Sequence, residues 1–387
     1  MTDTENNKNS NSPALRFPGF TEPWKKCRLG DYIRIFSGES PNCVSSKFGI
    51  IPYYKVEQLN WCDKYLGETP YLSQRGKNIL PEGCVVFSKR GAAILTNKVR
   101  MNLFPINIDT NLMGIKADNS FISDQYLFYF ILRARLSRIA DTSTIPQINN
   151  IHINPITINI PSLEEQEKIT RFLGLLDERI ATQRRLIEDL EKLKSSIVDR
   201  IFSEMNGEVV TYRDILEIST QRNDDKADYR ILSASQEFGM VERDSLDIDI
   251  KAEAKSVKTY KRVHSGDYVL HLRSFQGGLA FAEVEGICSP AYTILRPNKK
   301  LEYGYLKEYF NSSKFIKSLV LVTYGIRDGR SINVDEFLDM NISIHSKDNQ
   351  AEIVKSLSVL SEKLRLEKKI LCRYERQRTY LLNQLFI

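Results

Sequence analysis

The sequence predicts an α/β (α+β) fold: two structurally similar modules and an antiparallel coiled coil of two long helices, arranged as an internal pseudo-repeat. Three observations predict it. "EEQEKITRFLGLLDERI" at 164–180 is echoed by "NQAEIVKSLSVLSEKL" at 349–364. Gln166 and Gln350, like Ile169 and Ile353, stand 184 residues apart. Short β-like runs and turn residues fill the segments before each helix.

The helices carry the clearest pattern. A 3-4 step in the first reads Ile169, Leu173, Leu176, Ile180, Gln183, Ile187, Leu190, Lys194, Ile197, Ile201. In the second it reads Ile353, Leu357, Leu360, Leu364, Glu367, Leu371, Tyr374, Arg378, Leu381, Leu385. The polar exceptions fall at equivalent places, and Phe202 and Phe386 close the runs. A 3.5-residue spacing sustained over about five heptads makes a narrow apolar seam. Each seam needs a partner, and the other copy supplies one. The alternative is that each helix packs separately on its own module. Each rod is roughly 55 Å long at ~1.5 Å per residue. Antiparallel pairing follows from the chain order, since one helix leaves the first module and the other follows the second.

Strands are expected just before the helices, from Ile156, Ile158 and Ile160 and from Ile342 and Ile344. Ser162 with Glu165 reads as a capping box, and Ser346 as the matching cap. The expected divisions are a disordered polar lead at 1–13, a module at 14–161, a helix at 162–206, a module at 207–349 and a helix at 350–387.

Between the helices the two modules echo each other in order. "LGDYI" (29–33) answers "YRDIL" (212–216), and "PEGCVVFSKRG" (81–91) answers "HSGDYVLHLRS" (264–274). "DQYLFYF" (124–130), in an expected helix near 123–140, answers "YGYLKEYF" (303–310). "IPQINN" (145–150) answers "GRSINV" (329–334). A shared core with divergent loops suits two readers of two targets.

The candidate reading residues lie on polar, basic loops. They are Lys89 and Arg90 after a strand; Thr142, Ser143, Thr144 and Gln147; His271, Arg273 and Gln276; and Tyr324, Arg327 and Arg330. Arg and Lys suit guanine edges, Gln and Asn suit adenine, and any of them can hold phosphate. Each also reads simply as a solvated loop residue.

Composition narrows the classes. The chain has 387 residues, 42% hydrophobic and 27% charged, with a net charge of +6. Residues 1–161 carry 19 basic and 13 acidic groups, whereas 206–349 carry 20 and 22. A second polyanion reader would therefore have to concentrate its positive charge locally. No apolar run approaches the ~20 residues of a membrane span. Six Cys without a C-x-x-C pair, and four scattered His, argue for reduced thiols in a cytoplasm and against structural zinc.

No phosphate-binding G-x-x-x-x-G-K-[ST] loop occurs. "NPIT" (154–157) lacks the aromatic that would stack a flipped base. Asp249 with Glu253 only faintly suggests a metal-nuclease cluster. No catalytic residue and no metal ligand is assigned. Two rival classes remain, a stand-alone methyltransferase or nuclease and a protein-binding coiled-coil scaffold.

Several segments resemble the specificity subunit of type I restriction–modification enzymes: "RFPGFTEPWKKCRLGD" (16–31), "TIPQINN" (144–150) and the helix segment at 160–202, where Pro161, Glu165 and Gln166 precede the long run. The second copy departs from the pattern, with His345 for the Pro and "GRSIN" for "IPQIN". The resemblance implies two target recognition domains, each reading one half of a split site in double-stranded DNA. It implies that the coiled coil sets their spacing and docks two methyltransferase subunits that use S-adenosylmethionine. Motor-nuclease subunits using ATP and Mg²⁺ would complete the complex in a bacterial or archaeal cytoplasm. This chain itself would hold no cofactor and carry no catalysis.

Overall fold

A computed structural model describes residues 11–40, 49–74, 78–142, 145–203, 207–223, 229–235, 238–245, 259–325 and 331–387. Ser143, Thr144, Arg327, Arg330 and the Asp249 segment lie outside these residues. The chain forms two compact units, 1–184 with 369–387 and 185–368. Both divisions fall inside the long helices, which run unbroken over Leu163–Ile201 and Lys347–Gln384. Each unit therefore contains a module and a stretch of both helices.

In the first unit a four-stranded antiparallel sheet has the order Ile33–Ser37, Leu112–Ala117, Val85–Ser88, Val99–Met101. The second unit repeats the order with Leu216–Ser219, Thr293–Pro297, Tyr268–Leu270 and Ala280–Phe281. The registers correspond as well. Val85 faces Ile115 and Met101, while Tyr268 faces Leu295 and Phe281. A second pairing closes each module, Lys25–Arg28 with Thr157–Ile160 and Glu208–Thr211 with Asn341–Ile344. These are the alternating-Ile strands expected before each helix.

Each central strand is buried on both faces and divides two cores. Side chains alternate across a strand, so Val85 and Phe87 enter the core that meets the long helices, while Cys84 and Val86 enter a smaller one with Phe36, Tyr54 and Leu80. Tyr268 and Leu270 do likewise, with Val269 on the far side. Gly83 and Gly266 precede these strands at φ +75° and +98°, a backbone that side chains with a Cβ rarely adopt.

The helix expected near 123–140 breaks. Asp124–Ala134 starts at the Ser123 cap, whose Oγ accepts from the Tyr126 N–H at 3.2 Å. It stops at Arg135 (φ 58°), and Leu136–Ile139 forms a separate turn of helix. The matching "YGYLKEYF" is mostly turns, ending in the 3₁₀ segment Tyr309–Asn311. Gly304 at φ +75° interrupts any helix there.

The starts of the two long helices are anchored alike. Gln166 Oε1 accepts from the Ser123 N–H at 2.8 Å, and Nε2 donates to the carbonyls of Phe121 and Pro161. Gln350 accepts from Glu302 N–H at 2.8 Å and donates to the carbonyls of Lys300 and His345. Both glutamines are buried. Only half of the expected capping box forms. Ser162 Oγ accepts from the Glu165 N–H at 3.3 Å, but the Glu165 carboxylate accepts from Arg16 Nε (2.8 Å) and Trp24 Nε1 (3.2 Å). A better-placed guanidinium outcompetes the helix terminus. No side-chain cap is described for Ser346, whose carbonyl accepts from Gln350 N–H.

Within each unit the helix stretches run antiparallel. In the first, Asp177 pairs with Arg378 and Arg184 with Glu375; in the second, Lys368 pairs with Glu191. Ile169, Leu173, Ile180, Gln183, Ile187, Leu357, Leu364, Leu381 and Leu385 are buried, and the remaining seam positions are half-buried. The terminal Phe residues each meet the module at the far end of their own helix. Phe386 packs on Tyr126 at 4.9 Å between ring centroids, and Phe202 on Tyr309 at 4.6 Å and Tyr305 at 5.5 Å.

Candidate nucleic-acid interface

In the first unit, two of the loops singled out in the sequence are held together. Lys89 N–H donates to Asn111 O at 2.9 Å and Ile148 N–H to Lys89 O at 2.8 Å. Gly91 N–H donates to Pro146 O at 2.8 Å, and Arg90 and Gln147 form a β-bridge. Asp141 and Gln147 exchange two further main-chain bonds of 2.9 Å. The backbone is thus committed to the loop itself. Arg90 and Thr142 are exposed, while Lys89 and Gln147 are half-buried. Among the described residues, neither Lys89 nor Arg90 forms an ion pair. This combination of a fixed main chain and unneutralised cations is what phosphate or guanine recognition needs.

The equivalent loop of the second unit follows Tyr268–Leu270. His271 N–H donates to Ser274 Oγ at 2.9 Å, and Arg273 N–H to His271 Nδ1 at 3.3 Å. Burial lowers the His271 pKa, so the ring is neutral at pH 7, and because Nδ1 accepts, the proton sits on Nε2. His271 therefore braces the loop from inside, 6.1 Å from the Tyr292 ring. Leu272, Arg273 and Gln276 are exposed around it. The hairpin Thr323–Tyr324 with Ser331–Ile332 lies beside this turn. Tyr324 is exposed, and its hydroxyl donates to Glu336 at 2.7 Å.

Sequence reasoning missed the apolar members of these loops. Ile145 beside Gln147 is 57% exposed and Leu272 beside Arg273 is 67% exposed. Both could contact a base or a thymine methyl. Their signal was an aliphatic residue inside a polar loop, with no strand periodicity to bury it. Among the described residues no group of three or more His, Cys, Asp or Glu gathers as a metal site, and no helix is long and apolar enough to cross a membrane.

Two modules of one strand order each carry a basic loop after the same central strand. The chain is similar to type I restriction–modification specificity subunits over part of its length. Residues 21–192 match the type I restriction modification DNA specificity domain. The chain is 26% identical over 198 residues to the type I restriction enzyme MjaVIII specificity subunit of Methanocaldococcus jannaschii, covering 49% of this chain and 44% of that protein. A putative MjaX specificity subunit of the same organism is 24% identical over 187 residues, covering 47% and 43%. The match thus spans less than half the length of each of these relatives.

The fold is similar to that of the type-I restriction-modification S subunit from M. genitalium. The TM-score is 0.58 and the identity 14%, covering 97% of this chain and 99% of that one. A second solved chain, from work on complex assembly and conformational transition of the type I R-M system, gives 0.57 and 17%, covering 96% and 98%.

Proposed function

We propose that this chain is a non-catalytic, sequence-specific DNA-binding subunit, with each module reading one half of a bipartite target. The observation that carries this reading is the doubled sheet. The same strand order and registers recur, yet the loop after the central strand offers Lys89 and Arg90 in one module and Leu272 and Arg273 in the other. One architecture with two different reading edges suits two different half-sites. In this reading the paired helices fix the gap between half-sites and dock two methyltransferase subunits. S-adenosylmethionine would be bound by those subunits, and ATP and Mg²⁺ by motor-nuclease subunits. The setting would be the cytoplasm of a bacterium or archaeon.

The test is to purify the chain with its methyltransferase partners and map the adenines methylated in a randomised duplex library. The expected result is one bipartite motif with a fixed gap, and no methylation by the chain alone. Turnover by the isolated chain would favour the stand-alone enzyme. A complex that methylates without sequence preference would favour the protein-binding scaffold.

A further inference from the structure

The polar residues that interrupt the apolar seam do something specific in each unit. In the first unit, Arg378 Nε on the second helix lies 2.5 Å from Asp177 Oδ1 on the first, an ion pair without hydrogen-bond geometry. Tyr129 of the module donates its hydroxyl to Asp177 Oδ2 at 2.7 Å. Lys64 of the module donates to the Tyr129 oxygen at 3.0 Å. Burial raises the Tyr129 pKa further, so its hydroxyl keeps the proton it donates.

In the second unit, Lys194 on the first helix lies 2.6 Å from Glu308 of the module. Ser361 on the second helix donates to the other Glu308 oxygen at 2.9 Å. The repeat makes these groups equivalent. Lys194 and Arg378 differ by 184 residues, as do Asp177 and Ser361, and Glu308 takes the place of Tyr129 when "YGYLKEYF" is laid on "DQYLFYF".

The acid and the hydroxyl have therefore changed sides. In the first unit the helix supplies the carboxylate and the module the hydroxyl. In the second the module supplies the carboxylate and the helix the hydroxyl. The cation stays on the seam in both. Each contact is largely shielded, with Asp177 and Glu308 side chains only 14% and 17% exposed, so an unmatched charge there is costly.

We propose that these two clusters form a pairing code, which assigns each module to its own half of the paired helices. To this cluster the first module brings a cation, Lys64, and no acid, since its Asp63 pairs with Arg184 farther along the first helix. Seated on the second half, it would set Lys64 against Lys194 with no carboxylate in the cluster itself. The second module brings Glu308, and on the first half it would add a second carboxylate beside Asp177. Tyr129, Asp177, Glu308 and Ser361 are thus positioning residues, and they select the correct docking through charge. The code is independent of what the loops bind, because it acts in the folding of the chain itself.

The experiment is thermal unfolding of the full-length chain, followed by circular dichroism, with the acid moved across the second cluster. Ser361→Asp in the native chain should lower the midpoint, since two carboxylates then share Lys194. The same substitution in a Glu308→Gln chain should raise the midpoint, because it restores the single acid in the arrangement of the first unit. That reversal of sign is something a packing role cannot produce. If Glu308→Gln alone does not fold, recovery of folded protein on adding Ser361→Asp supports the code and continued failure overturns it. In the first cluster, Asp177→Asn should lower the midpoint and added Tyr129→Glu should recover part of the loss. Equal effects of Ser361→Asp in both backgrounds would overturn the proposal.

Discussion

At the residue scale, three kinds of side chain do separable work. The buried side chains of Gln166 and Gln350 each satisfy three main-chain groups, most of them part-buried, where a module meets the start of a long helix. Replacing either with Leu leaves those groups unpaired, at a cost of about 1–3 kcal/mol or more. Urea unfolding should give similar losses for the two variants. Lys64 is different, because it is a base held in a desolvated position. Burial lowers its pKa to about 8 from the usual 10.5. Below pH 8 it is charged in both folded and unfolded chains, and the desolvation penalty is fully present. Between pH 8 and 10.5 the unfolded chain holds the extra proton, so this residue makes stability rise with pH. The difference in stability between the native chain and Lys64→Met should change across that window, and unfolding at pH 7 and 9.5 measures it. A constant difference would show that Lys64 is not desolvated. In the proposed reading, Arg90 acts on the DNA. Arg90→Ala should weaken duplex binding by about 1–3 kcal/mol if it reads a base, or lower the salt slope if it holds phosphate, with assembly unchanged.

At the element scale, the long helices were legible in detail. Every seam residue found by 3-4 spacing is buried or half-buried, because a narrow apolar stripe on a charged helix has only one way to leave water. The modules were less legible. Alternating Ile residues revealed the strands 157–160 and 341–344, and Gly83 and Gly266 marked matching turns. The break at Arg135 was invisible, since an Arg in a left-handed conformation carries no sequence mark. The half-made capping box was also invisible, because its competitor Arg16 is 149 residues away in the chain. Seam geometry gives a further prediction. Two residues inserted after Glu188 rotate the following seam by about 200°, at ~100° per residue, and turn Ile197 and Ile201 away from their core. Four residues restore the facing to within about 40°, since one turn is about 3.6 residues. Thermal melts should show the two-residue insertion as much the more damaging. Equal damage would mean the seam does not hold the helices.

At the scale of the whole molecule, the repeat is the organising fact. Each unit holds a module, a stretch of both helices, a buried glutamine anchor, a terminal Phe and a cation on the seam. What the sequence could not reveal is which of the loop residues are presented outward. His271 looked like a reader and braces its loop from inside, while Leu272 beside it is exposed. Such choices depend on tertiary contacts that spacing does not encode. The central claim is that two modules of one fold read two half-sites independently. The most direct test replaces residues 25–160, the stretch closed by the pairing of Lys25 with Ile160, with the matching module of a relative. The methylated motif of the reconstituted complex is then mapped. The account predicts that one half of the bipartite motif changes while the other half and the gap stay as they were. A motif altered in both halves, or one left unchanged in both, would contradict it.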